Sequence, residues 1–259
     1  MTVCSHPGTA PSHDMLVPAL RDVRAVVFDT DGVITDSARV HAAAWKTAFD
    51  TYLDVHPPED PGLRRPFDPR DDYLRYVDGR SRLDGAAAFL ASRGMDTSAG
   101  TVRAVAAEKE RLFTRRLREQ GVDAFPGTVR VVRALREAGV PCAAASASRH
   151  AGELLDRAGV LGLFDVLVDG GEAARLGLAG KPRPDLFLEA AGRLGVPAGR
   201  SAVVEDALAG VEAGRNGGFA LVVGVDRTAG PGTGERLLRH GAGIVVRDLA
   251  ELLVNEAPR

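Results

Sequence analysis

The hydrophobic positions of the chain fall into two kinds of region. Residues 25–28 form a continuous apolar run, Ala-Val-Val-Phe, which predicts a strand buried on both faces, as in parallel sheets. From residue 125 onward, short apolar runs alternate with helical patterns, and the strands predicted there are residues 140–145, 165–168, 201–204, 219–223 and 243–246. Successive β–α units of this kind predict an α/β fold with a doubly wound, mostly parallel sheet.

Helical periodicity dominates the region between the first strand and residue 122. Ser37 is a favourable N-cap for a helix through about residue 52, and further helices are predicted over residues 71–77, 84–92 and 98–120. Residues 56–72 are rich in Pro and Asp, which predicts a long loop. Because no strand pattern interrupts these helices, we expect them to form a small domain of their own.

The chain is therefore expected to contain a core domain, residues 19–36 and 123–259, and an inserted helical domain, residues 37–122. Residues 1–18 carry scattered Pro, Gly, Ser and His, which predicts a flexible N-terminal tail. Within the core, the helices are predicted at residues 128–137, 149–158, 184–194 and 207–215.

Composition and charge exclude several classes of function. The 259 residues are 45% hydrophobic, which suffices for a packed interior, and the formal net charge of -2 argues against a protein that binds a phosphate backbone. The cysteines, Cys4 and Cys142, show no pairing pattern, as expected in a reducing compartment. The N-terminus lacks the pattern of a secretory leader, and no stretch is long enough to span a bilayer. We expect a cytoplasmic monomer without nucleic-acid or membrane partners.

Two carboxylates directly follow the first predicted strand. Asp29 and Asp31 stand two positions apart and Gly32 supplies a turn, at a strand end where open α/β sheets bind ligands. Close carboxylates repel each other unless a cation or a proton lies between them, so a hard ion such as Mg²⁺ is expected there. Asp29 would act as a nucleophile that accepts a phosphoryl group, and Asp31 as the acid/base. An ordinary strand-end turn with Asp caps is the alternative.

Other predicted strand ends carry residues that complement this pair. Ser146 follows the second strand, Lys181 lies in a Gly-Lys-Pro-Arg-Pro loop, and Glu205 and Asp206 follow the strand at residues 201–204. Each has a simpler explanation alone: a helix cap, a surface charge, or acids at a helix start. Together they offer the oxygens of a metal site and the hydroxyl and cation that hold a phosphoryl group, and they therefore predict phosphoryl transfer.

The order of these motifs resembles that of the haloacid dehalogenase superfamily of phosphotransferases, over residues 21–253. The four segments that resemble its motifs are Phe-Asp-Thr-Asp-Gly-Val-Ile-Thr-Asp at 28–36, Ala-Ser-Ala-Ser at 145–148, Gly-Lys-Pro-Arg-Pro-Asp at 180–185 and Val-Glu-Asp-Ala-Leu-Ala-Gly at 204–210. Within the superfamily, the chain is most similar to the β-phosphoglucomutase-like group, which has a helical cap domain after the first motif.

The resemblance implies a role for each motif. Asp29 would be the nucleophile and Asp31 the acid/base. The residues implied in phosphate binding are Ser146, Lys181, Thr30 and Gly32. The implied Mg²⁺ ligands are Asp29, the carbonyl of Asp31, Glu205 and Asp206.

The same resemblance implies substrate contacts from the helical domain, which would cover the site as a cap. These contacts are His41, Trp45, Gly79, Arg82 and Lys109, together with Ala147 and Ser148 of the second motif. Arg82 would hold the phosphate distal to the reacting one. Lys109 would reach the substrate, and His41 would position Asp31 or a sugar hydroxyl. Simple core packing is the alternative for His41 and Trp45, which share one helical stripe.

The activity implied is that of a Mg²⁺-dependent phosphotransferase, an isomerase that converts β-D-glucose 1-phosphate to glucose 6-phosphate through a bisphosphate. Thr30, between the two acids, and residues 149–150 depart from the pattern of that group, which leaves the identity of the sugar phosphate open. A sugar-phosphate phosphatase with the same residues is the main alternative, because sequence does not report how long an aspartyl-phosphate survives water. A non-catalytic ligand-binding relative is a third hypothesis, against which the intact Asp29 and Asp31 argue.

Overall fold

The computed structural model describes residues 16–227 and 232–254, and the strands within them form one parallel sheet. The strands are β1 (Ala25–Asp29), β2 (Cys142–Ala145), β3 (Val166–Val168), β4 (Ser201–Glu205), β5 (Leu221–Val225) and β6 (Ile244–Val246). Their order across the sheet is β3-β2-β1-β4-β5-β6, and every neighbouring pair is parallel. The strand order reverses between β1 and β4, so the predicted α/β fold with a doubly wound parallel sheet is confirmed.

The helices of the described residues fall into two groups by their positions relative to the strands. In chain order they are α1 (Ala38–Val55), α2 (Arg82–Ser92), α3 (Ala99–Gln120), α4 (Pro126–Glu137), α5 (Ala151–Arg157), α6 (Gly170–Leu176), α7 (Asp185–Arg193), α8 (Leu208–Asn216) and α9 (Thr233–His240). The first three follow β1 with no strand between them. Of the other six, α4 precedes β2 and the rest lie between later strands, with both α6 and α7 between β3 and β4. We call residues 38–120, which contain the first three helices, the helical insert.

The central strand β1 is buried along its whole length, as its apolar run predicts. Val26 and Phe28 belong to a hydrophobic cluster that includes Leu135 of α4, whereas Val27 belongs to a second cluster with Phe187 of α7. The two clusters cover opposite faces of the sheet because successive side chains of a strand alternate between faces. This packing fixes the carboxyl end of β1, where the candidate site begins.

The helical insert has a hydrophobic cluster of its own. Trp45 and Phe49 of α1 belong to it with Phe89 of α2, and the rings of Trp45 and Phe49 stack with centroids 4.7 Å apart. A smaller cluster joins α1 and α3 to the core, since it contains Phe113 of α3 and Leu154 of α5. The insert therefore packs against the sheet domain at the base of its two long helices.

Several observed boundaries differ from the predicted ones. The segment predicted as a helix over residues 71–77 contains a single-turn π-helix, Tyr73–Val77, and the long loop before it includes a 3-10 turn, Pro61–Leu63. The hydrophobic pattern does not predict α6 or α9, which have seven and eight residues. Segments this short span about two turns, too few to establish a helical period.

Most of the predicted N-terminal tail, residues 1–15, lies outside the described residues. Leu16 is 1% exposed and forms an antiparallel bridge with Leu253, and Pro18–Leu20 form a 3-10 turn. The prediction of a flexible tail through residue 18 is therefore wrong for residues 16–18, because Leu16 is part of the hydrophobic cluster that covers one face of the sheet.

No helix of the described residues combines the length and the apolarity that a membrane crossing requires. Cys142 is a free, buried thiol in β2, and Cys4 lies outside the described residues.

Candidate active site

A buried lysine lies between two carboxylates at the ends of β1 and β4. Phe28 pairs with Val204 in the sheet register, so Asp29 and Glu205, the next residues, emerge side by side. Lys181 donates through Nζ to Asp29 Oδ1 at 2.5 Å and to Glu205 Oε2 at 2.6 Å. Their exposed fractions are 6% for Asp29 and Lys181 and 0% for Glu205. In this sheltered position the ammonium offsets the mutual repulsion of the carboxylates.

Three acids at this point could hold a cation. Asp29, Glu205 and Asp206 each offer a carboxylate oxygen, and these oxygens lie within 4.8 Å of one another. Burial and the charge of Glu205 raise the pKa of Asp29, which Lys181 opposes, and burial and Asp78 raise the pKa of Asp206. The ionised forms of these acids therefore disfavour one another, and a bound cation would relieve that repulsion. An all-oxygen donor set of clustered carboxylates fits a hard divalent cation such as Mg²⁺.

Two glycines make room for the carboxylates of this cluster. Gly32 has φ +82°, and a Cβ there would lie 1.8 Å from Asp206 Oδ2. A Cβ on Gly210, in the first turn of α8, would lie 1.9 Å from Glu205 Oε2. Gly32, which the family resemblance implies in phosphate binding, donates its N–H to the carbonyl of Thr35 at 2.9 Å. In the structure, Gly32 provides the turn and the space for Asp206.

The second carboxylate, Asp31, is held from three sides. Ser37 donates through Oγ to Oδ1, Ser146 donates through Oγ to Oδ2 at 3.3 Å, and His41 Nε2 lies 3.3 Å from Oδ1 without the alignment of a hydrogen bond. Burial raises the pKa of Asp31, but His41 and the hydrogen bond from Ser37 outweigh it and hold the pKa below its usual range. Asp31 is therefore a carboxylate at neutral pH and can accept a proton.

Ser37 does not cap α1 with its side chain, although it stands at the predicted N-cap position. Its hydroxyl is occupied by Asp31, and it also lies 3.0 Å from Thr35 Oγ1. The hydroxyl donates to the Asp31 carboxylate, a charged acceptor that strengthens the hydrogen bond, and this contact directs Oγ toward Asp31 rather than toward the helix amides.

His41 connects Asp31 to a lysine of the helical insert. Lys109 Nζ lies 2.8 Å from His41 Nδ1, and the ammonium stands 4.6 Å from the Phe113 ring and 5.5 Å from the Trp45 ring. Burial lowers the pKa of Lys109 to about 8, and burial and Lys109 lower the pKa of His41. Because an ammonium only donates, Nδ1 must accept, which assigns the imidazole proton to Nε2, facing Asp31.

A third group of charges lies at the boundary between the insert and the core. Glu110 of α3 uses Oε1 for two contacts, an ion pair with Arg82 NH1 of α2 at 3.0 Å and a hydrogen bond with His150 Nε2, just before α5, at 2.6 Å. The hydrogen bond to Glu110 raises the pKa of His150. The loop before α2 approaches the core as well. Gly79 has φ +68°, and a Cβ built on it would lie 2.9 Å from the Cβ of Ala207.

These residues surround a cavity of about 250 Å³ between the insert and the sheet. Its walls include twelve of the residues predicted from sequence: Asp29, Asp31, His41, Trp45, Gly79, Arg82, Lys109, Ala147, Ser148, Lys181, Glu205 and Asp206. Of the remaining predicted site residues, Thr30 and Ser146 are fully buried, and Ser146 accepts the N–H of Ser148 on Oγ at 3.0 Å. The structure therefore brings together residues that are up to 177 positions apart in the sequence.

The cavity also contains side chains that sequence reasoning missed, namely Tyr73, Asp78 and Glu110. Asp78 ends the π-helical turn, and burial, with the charge of Glu205, raises its pKa to about 7. A single-turn π-helix often marks a functional position, but it has no hydrophobic period that would reveal it in a sequence. Glu110 directly follows Lys109, and the only available signal was this adjacency on a predicted helix.

Comparisons with known proteins agree with this geometry. A family model described as haloacid dehalogenase-like hydrolase matches residues 23–218. A β-phosphoglucomutase from Mycobacterium tuberculosis is 42% identical over 240 residues, which cover 89% of this chain and 92% of that protein. A phosphorylated carbohydrates phosphatase from Thermotoga maritima is 27% identical over 87% of this chain and 94% of its own.

The fold also matches a solved structure whose protein carries the same name as the mycobacterial relative. A crystal structure of β-phosphoglucomutase from Clostridium difficile aligns with a TM-score of 0.69 at 25% identity, covering 89% of this chain and 93% of that one. Because the family model spans more than half of the chain and the mycobacterial relative matches over nearly its full length, the chain belongs to the haloacid dehalogenase-like hydrolase family.

Proposed function

We propose that this protein is a Mg²⁺-dependent phosphotransferase that acts through an aspartyl-phosphate on Asp29 and isomerises β-D-glucose 1-phosphate to glucose 6-phosphate. The observation that carries the chemistry is the convergence of Asp29, Lys181 and Glu205 at the ends of β1 and β4. The similarity to the mycobacterial β-phosphoglucomutase over most of both chains supports the isomerase activity in particular.

In the proposed reaction, Asp29 carries the phosphoryl group between the two positions of the sugar. Phosphorylated Asp29 transfers its phosphoryl group to O6 of β-D-glucose 1-phosphate, and Asp31 takes the hydroxyl proton. The resulting bisphosphate turns over in the cavity, and Asp29 attacks the phosphorus at O1. As the bond from phosphorus to O1 breaks, Asp31 returns the proton to O1, which releases glucose 6-phosphate. The ionised state of Asp31 is the form that the first half of this cycle needs.

Mg²⁺ would be held by Asp29, the carbonyl of Asp31, Glu205 and Asp206, and would supply positive charge to the phosphoryl oxygens. Ser146 and Lys181 would bind the transferring phosphate, with Thr30 beside them. The sugar and its second phosphate would contact His41, Trp45, Gly79, Arg82, Lys109, Ala147 and Ser148.

The helical insert would act as the cap domain, residues 37–122, on a core of residues 19–36 and 123–259. By covering the cavity, it would exclude water and so protect the aspartyl-phosphate from hydrolysis. We further propose that the enzyme acts as a cytoplasmic monomer in carbohydrate metabolism.

A sugar-phosphate phosphatase is the alternative function, and the similarity to the Thermotoga maritima phosphatase favours it over unrelated activities. The same residues would serve, because hydrolysis of the aspartyl-phosphate requires only that water reach it.

One assay tests both activities. The purified protein is incubated with Mg²⁺, β-D-glucose 1-phosphate and a trace of glucose 1,6-bisphosphate, and glucose 6-phosphate and inorganic phosphate are measured in parallel. We expect glucose 6-phosphate to form much faster than inorganic phosphate, and both to stop with a chelator or in Asp29→Asn. Fast phosphate release without isomerisation would instead establish the phosphatase, and full turnover in Asp29→Asn would contradict both.

A further inference from the structure

Glu110 joins the helical insert to the core through a single carboxylate oxygen. Its Oε1 forms an ion pair with Arg82 NH1 of α2 at 3.0 Å and a hydrogen bond with His150 Nε2, at the start of α5, at 2.6 Å. Glu110 and Arg82 both line the cavity. The contact between Glu110 and His150 thus bridges the insert and the core at the edge of the proposed substrate site.

The cluster is more sheltered than an ordinary surface ion pair. The exposed fractions of the side chains are 25% for Glu110, 30% for Arg82 and 22% for His150. The His150 ring lies 5.7 Å from the Phe113 ring, and its Nδ1 lies 3.4 Å from Glu153 Oε2. Partly buried, charge-assisted contacts of this kind hold their geometry better than exposed pairs.

Within the described residues, Glu110 is the only ion-pair partner of the Arg82 guanidinium. The contact uses NH1, and no acceptor for Nε or NH2 is found among residues 16–227 and 232–254. Both nitrogens of His150 face carboxylates, of Glu110 and of Glu153, so His150 fixes Glu110 rather than facing the cavity as a free donor. The order of contacts therefore runs from the core, through His150 and Glu110, to Arg82.

We infer that Glu110, oriented by His150, is a positioning residue that holds Arg82 in the orientation in which its free N–H groups bind the distal phosphate of the substrate. The inference rests on the proposed function, which assigns that phosphate to Arg82. An arginine that is already ordered loses less conformational freedom on binding, so the phosphate binds more tightly.

Glu110→Gln tests this role because it keeps the shape and removes the charge. We expect KM for the hexose phosphate to rise by roughly tenfold, as for the loss of a charge-assisted contact, and kcat to change less than KM. The matched control is Glu108→Gln on the same helix, since Glu108 pairs with Arg111 on the exposed surface. This control should keep the KM of the unchanged protein.

A double-mutant cycle distinguishes positioning from a general loss of structure. If Glu110 acts through Arg82, adding Glu110→Gln to Arg82→Ala should raise KM no further. Additive effects of the two substitutions would overturn the inference. So would an unchanged KM in Glu110→Gln, and a lower KM would mean that Glu110 competes with the phosphate.

The pH dependence of KM gives a readout that a structural role would not move. His150 faces Glu110, Glu153 and the Phe113 ring, Arg82 pairs with the same Glu110 oxygen, and the hydrogen bond to Glu110 raises the pKa of His150. KM should therefore rise as pH increases through the pKa of His150, and in Glu110→Gln this rise should begin at lower pH. Identical profiles would contradict the inference.

The fluorescence of Trp45 keeps this test independent of the proposed activity. Trp45 is the only tryptophan of the chain and lines the cavity, so binding of glucose 6-phosphate should change its emission. If the protein forms neither glucose 6-phosphate nor inorganic phosphate, the proposed function fails. Weaker glucose 6-phosphate binding in Glu110→Gln would still support the positioning role, and equal binding would refute it.

Discussion

Substitution of Gly32 by alanine should disturb the metal site through a defined steric contact. The backbone of Gly32 has φ +82°, and an added Cβ would lie 1.8 Å from Asp206 Oδ2 and 2.7 Å from Asp206 Cγ. Real Cβ atoms rarely approach another atom closer than 3.0 Å, so either the Asp206 carboxylate or the loop after β1 must move by about 1.2 Å. Both movements separate the acids that the proposed cation needs close together.

The size of the effect follows from two separate costs. A non-glycine residue in the left-handed region costs about 1–2 kcal/mol of folding stability. Misplacement of a catalytic group by about 1 Å can cost on the order of 100-fold in rate. We therefore expect Gly32→Ala to lose about 1–2 kcal/mol in the free energy of unfolding, and roughly 100-fold in kcat.

Gly139→Ala is the matched control. Gly139 has a similar φ of +72°, but apart from its chain neighbours no atom lies within 4 Å of its Cβ position. It should therefore lose similar stability in urea and keep the metal affinity and the kcat of the unchanged protein. Calorimetric titration with Mg²⁺ and the glucose 6-phosphate assay measure the difference. If both variants bind Mg²⁺ and turn over equally well, Gly32 does not serve to make room for Asp206.

Three other substitutions test the remaining parts of the site. Asp31→Asn should lower kcat by about 10²–10⁴-fold, the range for a lost acid/base, while calorimetric Mg²⁺ binding changes little; equal loss of both would place the Asp31 side chain on the metal. Lys181→Met should remove about 3–5 kcal/mol from the free energy of unfolding in urea with chelator, because it leaves Asp29 buried beside an uncompensated acid; unchanged stability would contradict this. Burial lowers the pKa of Lys109 to about 8, so its ammonium is lost as pH rises through 8 and kcat/KM should fall there. The variant Lys109→Met should lack this fall. The control Lys46→Met should keep it, because the side chain of Lys46 is 42% exposed on the same insert.

The sheet and the acids at its edge could be predicted because their signals are local. The apolar run of β1 needs covering on both faces, and this requirement is visible in residues 25–28 alone. Asp29 follows this run directly. The parallel register pairs Phe28 with Val204, so Glu205 lies beside Asp29 as the next residue of the neighbouring strand. Where a residue stands next to a strand end, its position in the fold follows from the topology of the sheet.

The partners of these residues could not be predicted in the same way. Ser37 fits an N-cap by residue type, but its hydroxyl instead meets Asp31, which competes for it across the loop. Gly32 fits a phosphate-binding loop by motif, but its amide donates to Thr35. In both cases local chemistry offers several partners, and the choice depends on distances that only the folded chain sets.

The insert limits sequence-based prediction most, because its site residues come from the sides of helices rather than from strand ends. Lys109 and Glu110 are neighbours in sequence and lie about 100° apart around α3, yet both reach the cavity: one contacts His41, and the other contacts Arg82 and His150. Helical periodicity would assign one of two such neighbours to the buried face and the other to solvent. A cavity between an insert and a sheet is lined by both. Side chains from a wider range of directions around a helix can therefore reach it than can reach a packed core. The residues that tune substrate choice in such a protein are therefore expected among side chains that a hydrophobic pattern assigns to the surface, and Glu110 is the first to test.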